Sequence, residues 1–233
     1  MNGQSDFDYI PFGERGWLVR MTGFADDVAS GLHANAAADT IRAHEHITDA
    51  VAGIDTITIR FDDTQIDADR ALRLLTNAVN NADGSNTANS TDTIIDIPVL
   101  YGGAAGPDLD ALCARAKLPA ADIIGKHSTA TYRVITVGFA PGFAYMGPLD
   151  ESLHAPRLAT PRPRVAAGSV AVAGGFTGVY ALPSPGGWNI IGRTPLSLFD
   201  AQNSSPFLFQ PGASIRFHPI DETEFEHLSK QSK

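Results

Sequence analysis

Two rhythms of hydrophobic and polar positions divide this chain. In the first part they alternate between strand and helix. DYIPFGERGWLVRMTG places apolar residues on both sides of a turn at Phe12-Gly13-Glu14, the pattern of a β-hairpin. Asp26-Asp27 then opens a long alanine-rich helical pattern through VASGLHANAAADTIRAHEHI, acidic at its start as the helix dipole favours. TITIRFD, Thr56 to Asp62, has the β-branched alternation of a strand, and DADRALRLLTNAVN sets Ala71, Leu72, Leu75 and Val79 along one helical face. The order β-β-α-β-α predicts a small α+β domain with helices on one face of a sheet.

The second rhythm begins after NADGSNTANSTD, Asn81 to Asp92, which has no large apolar residue and predicts an exposed boundary. The chain is therefore expected to divide into domains at 1–90 and 91–233. TIIDIPVLYGG reads as a strand, PDLDALCARAK as a helix and PAADIIGKHS as a shorter one. Beyond His127, short apolar or alternating runs are separated by glycine and proline: TYRVITVGF, RVAAGSVAVAG, GVYALP, NIIGRTPLSLF and ASIRFHPI. That spacing predicts a mainly antiparallel β-barrel or sandwich.

Composition narrows the function classes. At 43% hydrophobic and 18% charged, 233 residues suffice for buried cores. Neither an apolar membrane-length run nor a signal-like start is present, so a cytoplasmic protein away from membranes is expected. One cysteine, Cys113, forms no internal disulfide, and scattered histidines offer no metal ligand set. The net charge of −9 argues against nucleic acid as partner. The charge is unevenly spread, however: Ile123 to Phe199 holds six basic and two acidic residues, leaving 11 basic and 24 acidic for the remainder.

Three segments of the β-rich half are more demanding than turns require. GFAPGFAYMG sets glycine and proline among aromatics, HAPRLATPRPRVAAGSV stiffens three arginines with proline, and SPGGWNIIGRTP adds a tryptophan and a fourth arginine. Glycine lets backbone N–H groups approach a ligand, proline fixes the loop, and arginine grips an anion through its planar fork. No Asp or Glu lies between Ser152 and Phe199, so these arginines are expected to form a site for a small anionic substrate inside or at the mouth of the barrel. No nucleotide-phosphate loop, nucleophile elbow or zinc-protease motif accompanies them. Ser184 reads as a structural turn residue.

The same stretches carry a family resemblance. YGGAAGPDLDAL, HSTATYRVITVGFAPGFAYMGPLD, LATPRPRVAAGSVAVAGGFTGVY, SPGGWNIIGRTPLSLFD and PFLFQPGASIRFHPI resemble the KipI family, which includes the B-type subunit of bacterial 5-oxoprolinase and is also labelled allophanate hydrolase subunit 1. The match runs from about Ile97 to Ile220. IPFGERGWLVRM is similar to the family's opening strand, and VAGIDTITIRFDD resembles its second strand without the Pro-Ala-Tyr expected before it. The chain departs from the family at Ala104-Ala105, where an acidic residue is usual, at Ala144, where proline is common, and at Phe176, in place of glutamine.

The resemblance implies an α+β N-terminal domain followed by a cyclophilin-like β-barrel. It also implies an enzyme subunit that is inactive alone. Together with a homologous C-type 5-oxoprolinase subunit (KipA-like) and a LamB/YcsF-like A-type one, it would convert 5-oxoproline to glutamate with ATP hydrolysis, ATP being bound somewhere in the assembly. Carried over position by position, the substrate-binding residues are Gly138, Phe139, Pro141, Gly142 and Tyr145 in the first loop, Arg157, Arg162 and Arg164 in the second, and Trp188 and Gly192 in the third. Arg193 and His127 are the catalytic candidates. His127 is read either as a proton donor or acceptor or as a buried histidine held by hydrogen bonds. Two alternatives stay open: the carboxyltransferase part of a urea or allophanate-type amidolyase, and a KipI-like inhibitor of a histidine kinase.

Overall fold

The structure, a computed structural model, describes residues 6–84 and 94–231. Its chain divides into two compact units, Met1–Ser90 and Thr91–Lys233. Most of the anticipated boundary, residues 85–92, lies outside the described residues. Its first residue, Asn81, closes a helix, and Gly84 lies against the backbone of His33.

The first unit runs β1 (Asp6–Pro11), β2 (Gly16–Thr22), α1 (Asp27–Arg42), β3 (Ile47–Ala52), β4 (Thr56–Phe61) and α2 (Ala68–Asn81). The strands form an antiparallel sheet in the order β1-β2-β4-β3. Both helices begin at an aspartate: Asp26 accepts from the Ala29 N–H at 2.8 Å and Asp67 from the Arg70 N–H at 2.7 Å. The helical pattern in the sequence runs through Ile47, the first residue of β3, and leaves β3 unpredicted. The helix in fact stops at Arg42, whose guanidinium donates to the Ala50 carbonyl at 2.6 Å and ties the helix end to the strand that follows. Alternate residues of the sheet (Val19, Met21, Ile57, Ile59) meet Ala34, Ala37, Ala38, Leu75 and Val79 of the helices in one buried core.

The second unit contains β5 (Ile94–Tyr101), α3 (Leu109–Ala116), α4 (Ala120–Thr129), β6 (Thr131–Val137), β7 (Ala144–Gly147), β8 (Arg162–Val165), β9 (Ser169–Ala173), β10 (Phe176–Val179), β11 (Ser184–Gly186), β12 (Asn189–Arg193), β13 (Ser214–Pro219) and α5 (Glu222–Gln231). Seven strands close into a barrel in the order β10-β7-β6-β13-β5-β12-β9. The pairing is antiparallel except between β13 and β5. Strands β8 and β11 form a separate two-stranded ribbon. Among the described residues no helix is long and apolar enough to cross a membrane.

Alternation along the strands sorts the barrel side chains into two clusters. Val170 and Val172 of β9, Ile191 of β12, Ala144 and Met146 of β7 and Val179 of β10 point into a core shared with Leu109, Leu112 and Ile123 of α3 and α4. Their sequence neighbours Ala171, Ala173, Ile190 and Tyr145 face the opposite way, toward Phe143, Val165, Tyr180 and Trp188. The interior of the barrel is packed with these buried side chains. The outer cluster is the face that the ribbon and the 138–143 loop cover.

Candidate functional site

The segment before the ribbon is pinned on both sides of Arg157. Ala155 bridges to Gly174, the Pro156 carbonyl accepts from the Asn189 side chain at 2.9 Å, and the Leu158 N–H donates to the Gly187 carbonyl at 2.7 Å. The Arg157 backbone is thus laced to the SPGGW strand. Its side chain lines a small pocket of about 60 Å³ with Phe139, Phe143, Tyr145, Tyr180, Trp188 and the glycine pair Gly186-Gly187. The walls are aromatic and meet edge to face: Phe143 lies 5.3 Å from Trp188, 5.2 Å from Tyr180 and 5.1 Å from Tyr145, ring centre to ring centre. Gly186 is required here, because a Cβ at that position would collide with the Tyr180 hydroxyl.

Arg162 stands beside this pocket rather than in its lining. It leaves β8 at the position opposite Gly186, and one guanidinium nitrogen pairs with Asp108 at 2.8 Å. The other carboxylate oxygen of Asp108 accepts from the Ile190 N–H at 2.6 Å, which bolts the Asp108 loop to β12. The expectation that the arginines lack acidic neighbours is therefore corrected for Arg162: the acid comes from 54 residues earlier in the chain. Arg162 Nη1 and Ser184 Oγ remain buried without a partner. Burial pushes the Tyr180 phenol pKa up, while the Trp188 backbone and the positive charges of Arg157 and Arg162 pull it back, so both guanidinium groups act on one hydroxyl.

The remaining sequence candidates lie elsewhere. Gly138, Pro141 and Gly142 line a larger cavity of about 510 Å³ with Phe207, Phe209 and Gln210, and Phe139 is its shared wall with the Arg157 pocket. That cavity has no charged side chain, so the smaller pocket is the one with chemistry for an anion. Phe139 adopts a left-handed backbone (φ 70°) and is 63% exposed, an arrangement that costs energy in a bulky residue. Gly192 belongs to the barrel wall, where a Cβ would press on Val99. Arg193 is exposed at the end of β12 and donates to the Ala167 carbonyl at 3.1 Å, and Arg164 is exposed on β8. The sequence places its expected anion site inside or at the mouth of the barrel; the pocket that Arg157 lines lies on the outer face of the barrel wall.

His127 is fully buried among the barrel's own side chains. Its ring packs against Phe217, Tyr132 and Tyr101. The Ala171 carbonyl can only accept, so the Thr177 hydroxyl donates to it at 3.2 Å and accepts from His127 Nε2 at 2.9 Å. Nδ1 is then the acceptor for the Tyr101 hydroxyl at 2.7 Å. Burial drives the imidazole pKa down to about 3, and the ring stays neutral. Of the two readings of His127, this geometry is that of a histidine held by hydrogen bonds.

Residues 7–209 match the family described as carboxyltransferase domain, subdomain C and D. The chain belongs to this family. A family relative, the B subunit of the 5-oxoprolinase of Escherichia coli O157:H7, is 52% identical over 128 residues, 55% of this chain and 59% of that protein. The chain spans a little under three fifths of the length of the curated relatives of this name that it matches. The crystal structure of TTHA0988 superposes with a TM-score of 0.75 at 34% identity, over 89% of this chain and 40% of that one. The urea amidolyase of K. lactis, at 19% identity and a TM-score of 0.78 over all of this chain and 16% of its own, shares the fold.

Neither Asp108 nor Tyr180 stands out in the sequence. Asp108 looks like the start of a helix, and Tyr180 like one more apolar position in GVYALP. The one available signal is the excess of arginine over acid between Ser152 and Phe199, which calls for a carboxylate from outside that segment.

Proposed function

We propose that the chain is the B-type subunit of an ATP-dependent 5-oxoprolinase, with a cyclophilin-like barrel as its scaffold. The observation that carries this reading is the Arg157 pocket, a cationic, aromatic-walled recess open to solvent, in a chain whose curated relatives bear that name. Opening the lactam breaks the amide C–N bond with water, coupled to cleavage of ATP to ADP and phosphate. Transfer of a phosphoryl group to the lactam oxygen is a route by which ATP weakens that bond.

In this reading the chain supplies one wall of a shared active site. Its pocket binds and orients the small substrate and excludes water with Phe139, Phe143 and Trp188. A C-type partner and a LamB/YcsF-like A-type partner complete the site, and the triphosphate sits outside a recess of about 60 Å³. The assembly is cytoplasmic and hetero-oligomeric. The test is 5-oxoproline-dependent ATP hydrolysis by the chain alone and with its C-type and A-type partners. Activity is expected in the reconstituted set and not in the single chain. Robust turnover by the single chain contradicts a shared site, and no turnover by the complete set contradicts the reaction.

A second reading, the carboxyltransferase part of a urea or allophanate-type amidolyase, draws on the family description and the shared fold. Urea-dependent turnover in place of 5-oxoproline-dependent turnover decides for it.

A further inference from the structure

Charge at the head of the aromatic pocket does not balance. Arg157 lines the pocket and Arg162 borders it, yet among the described ion pairs only Arg162 has a carboxylate, that of Asp108. Two guanidinium groups and one carboxylate leave a single positive charge, and Arg157 carries it. Arg162 Nη1 and Ser184 Oγ are buried and unpartnered on the same ribbon. Buried polar atoms left in this state are uncommon and mark places where water or a ligand belongs. The recess holds roughly four to six water-sized groups and is walled by rings at their edges and faces, a shape suited to a flat group.

We infer that the pocket is a clamp for one carboxylate on a small ring, in which Arg157 grips the anion and the Arg162–Asp108 pair holds the β8–β11 ribbon and Tyr180 in place behind it. This deepens the 5-oxoprolinase reading and rests on it for the identity of the ring. The carboxylate sits against Arg157 and the ring extends past Phe139, since Tyr145 and Trp188 meet edge to face at 5.6 Å and leave no slot between them. The ring amide is then directed outward, toward the side where a partner protein delivers the phosphoryl group. A triphosphate, with three linked tetrahedral groups and several charges, exceeds both the volume and the single free charge. Arg157 is thus the substrate-gripping residue, and Asp108 and Arg162 are positioning residues.

The experiment is an equilibrium titration of the full chain, followed by Trp188 fluorescence in a Trp17→Phe background, with 5-oxoproline, its carboxamide and ATP as probes. The expected result is a saturable response to 5-oxoproline, binding of the carboxamide at least tenfold weaker, and no competition from ATP. Arg157→Gln abolishes the preference for the acid and Arg157→Lys restores part of it. The double variant Asp108→Asn with Arg162→Gln removes a positive and a negative charge together, and it keeps the preference while lowering affinity severalfold. Near-ultraviolet circular dichroism verifies that each variant is folded. Equal binding of acid and carboxamide, an Arg157→Gln variant that still discriminates, displacement by ATP, or no saturable response overturns the clamp. Turnover by the reconstituted complex separates the two ideas. Turnover without discrimination by the pocket sinks only the clamp, and discrimination without turnover sinks only the assigned reaction.

Discussion

The two faces of the barrel wall hold polar groups in opposite states. On the inner face His127 has a partner at each nitrogen, its ring is enclosed by Phe217, Tyr132 and Tyr101, and it is neutral. On the outer face, one residue away along β7, β9 and β12, Arg157 is exposed and belongs to none of the described ion pairs, and Arg162 Nη1 is buried without an acceptor among the described residues. A polar group whose hydrogen bonds are complete contributes to stability. A buried one whose bonds are incomplete is uncommon and calls for an explanation such as strain, an ordered water or a ligand. The comparison separates a histidine with a partner at each nitrogen from an exposed arginine outside the described ion pairs, although residue type alone would rank histidine first as a catalyst.

The largest expected effect comes from breaking the inner face. His127→Ala leaves the Tyr101 hydroxyl without its acceptor and opens a cavity, at an expected cost of about 3–5 kcal/mol in unfolding free energy. Urea denaturation measures it. A variant of near-native stability that has lost activity would instead support the reading of His127 as a proton donor or acceptor.

Acid should act on the same group. The folded imidazole has its pKa lowered to about 3, whereas an unfolded histidine titrates near about 6.5. As pH falls below about 6.5 the unfolded chain takes the proton and the folded chain does not, so the stability contributed above that pH is progressively lost down to about 3. The slope is roughly 1.4 kcal/mol per pH unit from this residue alone. His33, whose pKa burial also lowers, acts in the same direction. The decisive comparison is therefore the pH dependence of the urea midpoint in wild type and in His127→Gln, and the variant is expected to show the shallower loss.

On the outer face the effects are smaller and shift toward binding. Asp108→Ala leaves Arg162 and the Ile190 N–H without their acceptor, at a cost of about 2 kcal/mol. Gly186→Ala forces Tyr180 aside and is expected to cost about 1–3 kcal/mol and to weaken 5-oxoproline binding more than tenfold. Arg164→Ala, on an exposed side chain, is expected within about 0.5 kcal/mol of wild type with unchanged ligand binding. A large loss of binding in Arg164→Ala would move the anion site along β8.

Much of the barrel is legible because glycine and proline punctuate short alternating runs: four of those runs take in β6, β9, β12 and β13, while β8 and β10 are caught only at their last two residues, by RVAAGSVAVAG and GVYALP. Helix α5 is not, because its acidic, polar sequence buries no residue and so has no apolar stripe to find. Strand β3 is hidden by the alanine-rich helix pattern that runs into it without a glycine or proline stop. At the site, the loops with their arginines and aromatics stand out, and Phe139, Tyr145, Arg157 and Trp188 do meet in one pocket. The inside and outside of the barrel cannot be told apart by pattern, since a period of two fixes alternation but not which set faces the core. Asp108 and Arg162 meet only through the closure of β12 on β5 and the docking of the ribbon, contacts between residues far apart in sequence. Phe176, which replaces the family's glutamine, has its ring 6.4 Å from that of Tyr145, so this departure falls beside the pocket wall.

The assignment of ligand binding to the outer face is open to direct observation by nuclear magnetic resonance of the full chain titrated with 5-oxoproline. Saturable shifts are expected in the Trp188 indole N–H and in the Arg157 side-chain N–H, with the methyl signals of Val170 and Val172 on the inner face left in place. Shifts centred on Val170, Val172 and the His127 ring, with Trp188 and Arg157 unmoved, would place the ligand inside the barrel and contradict the division between the two faces.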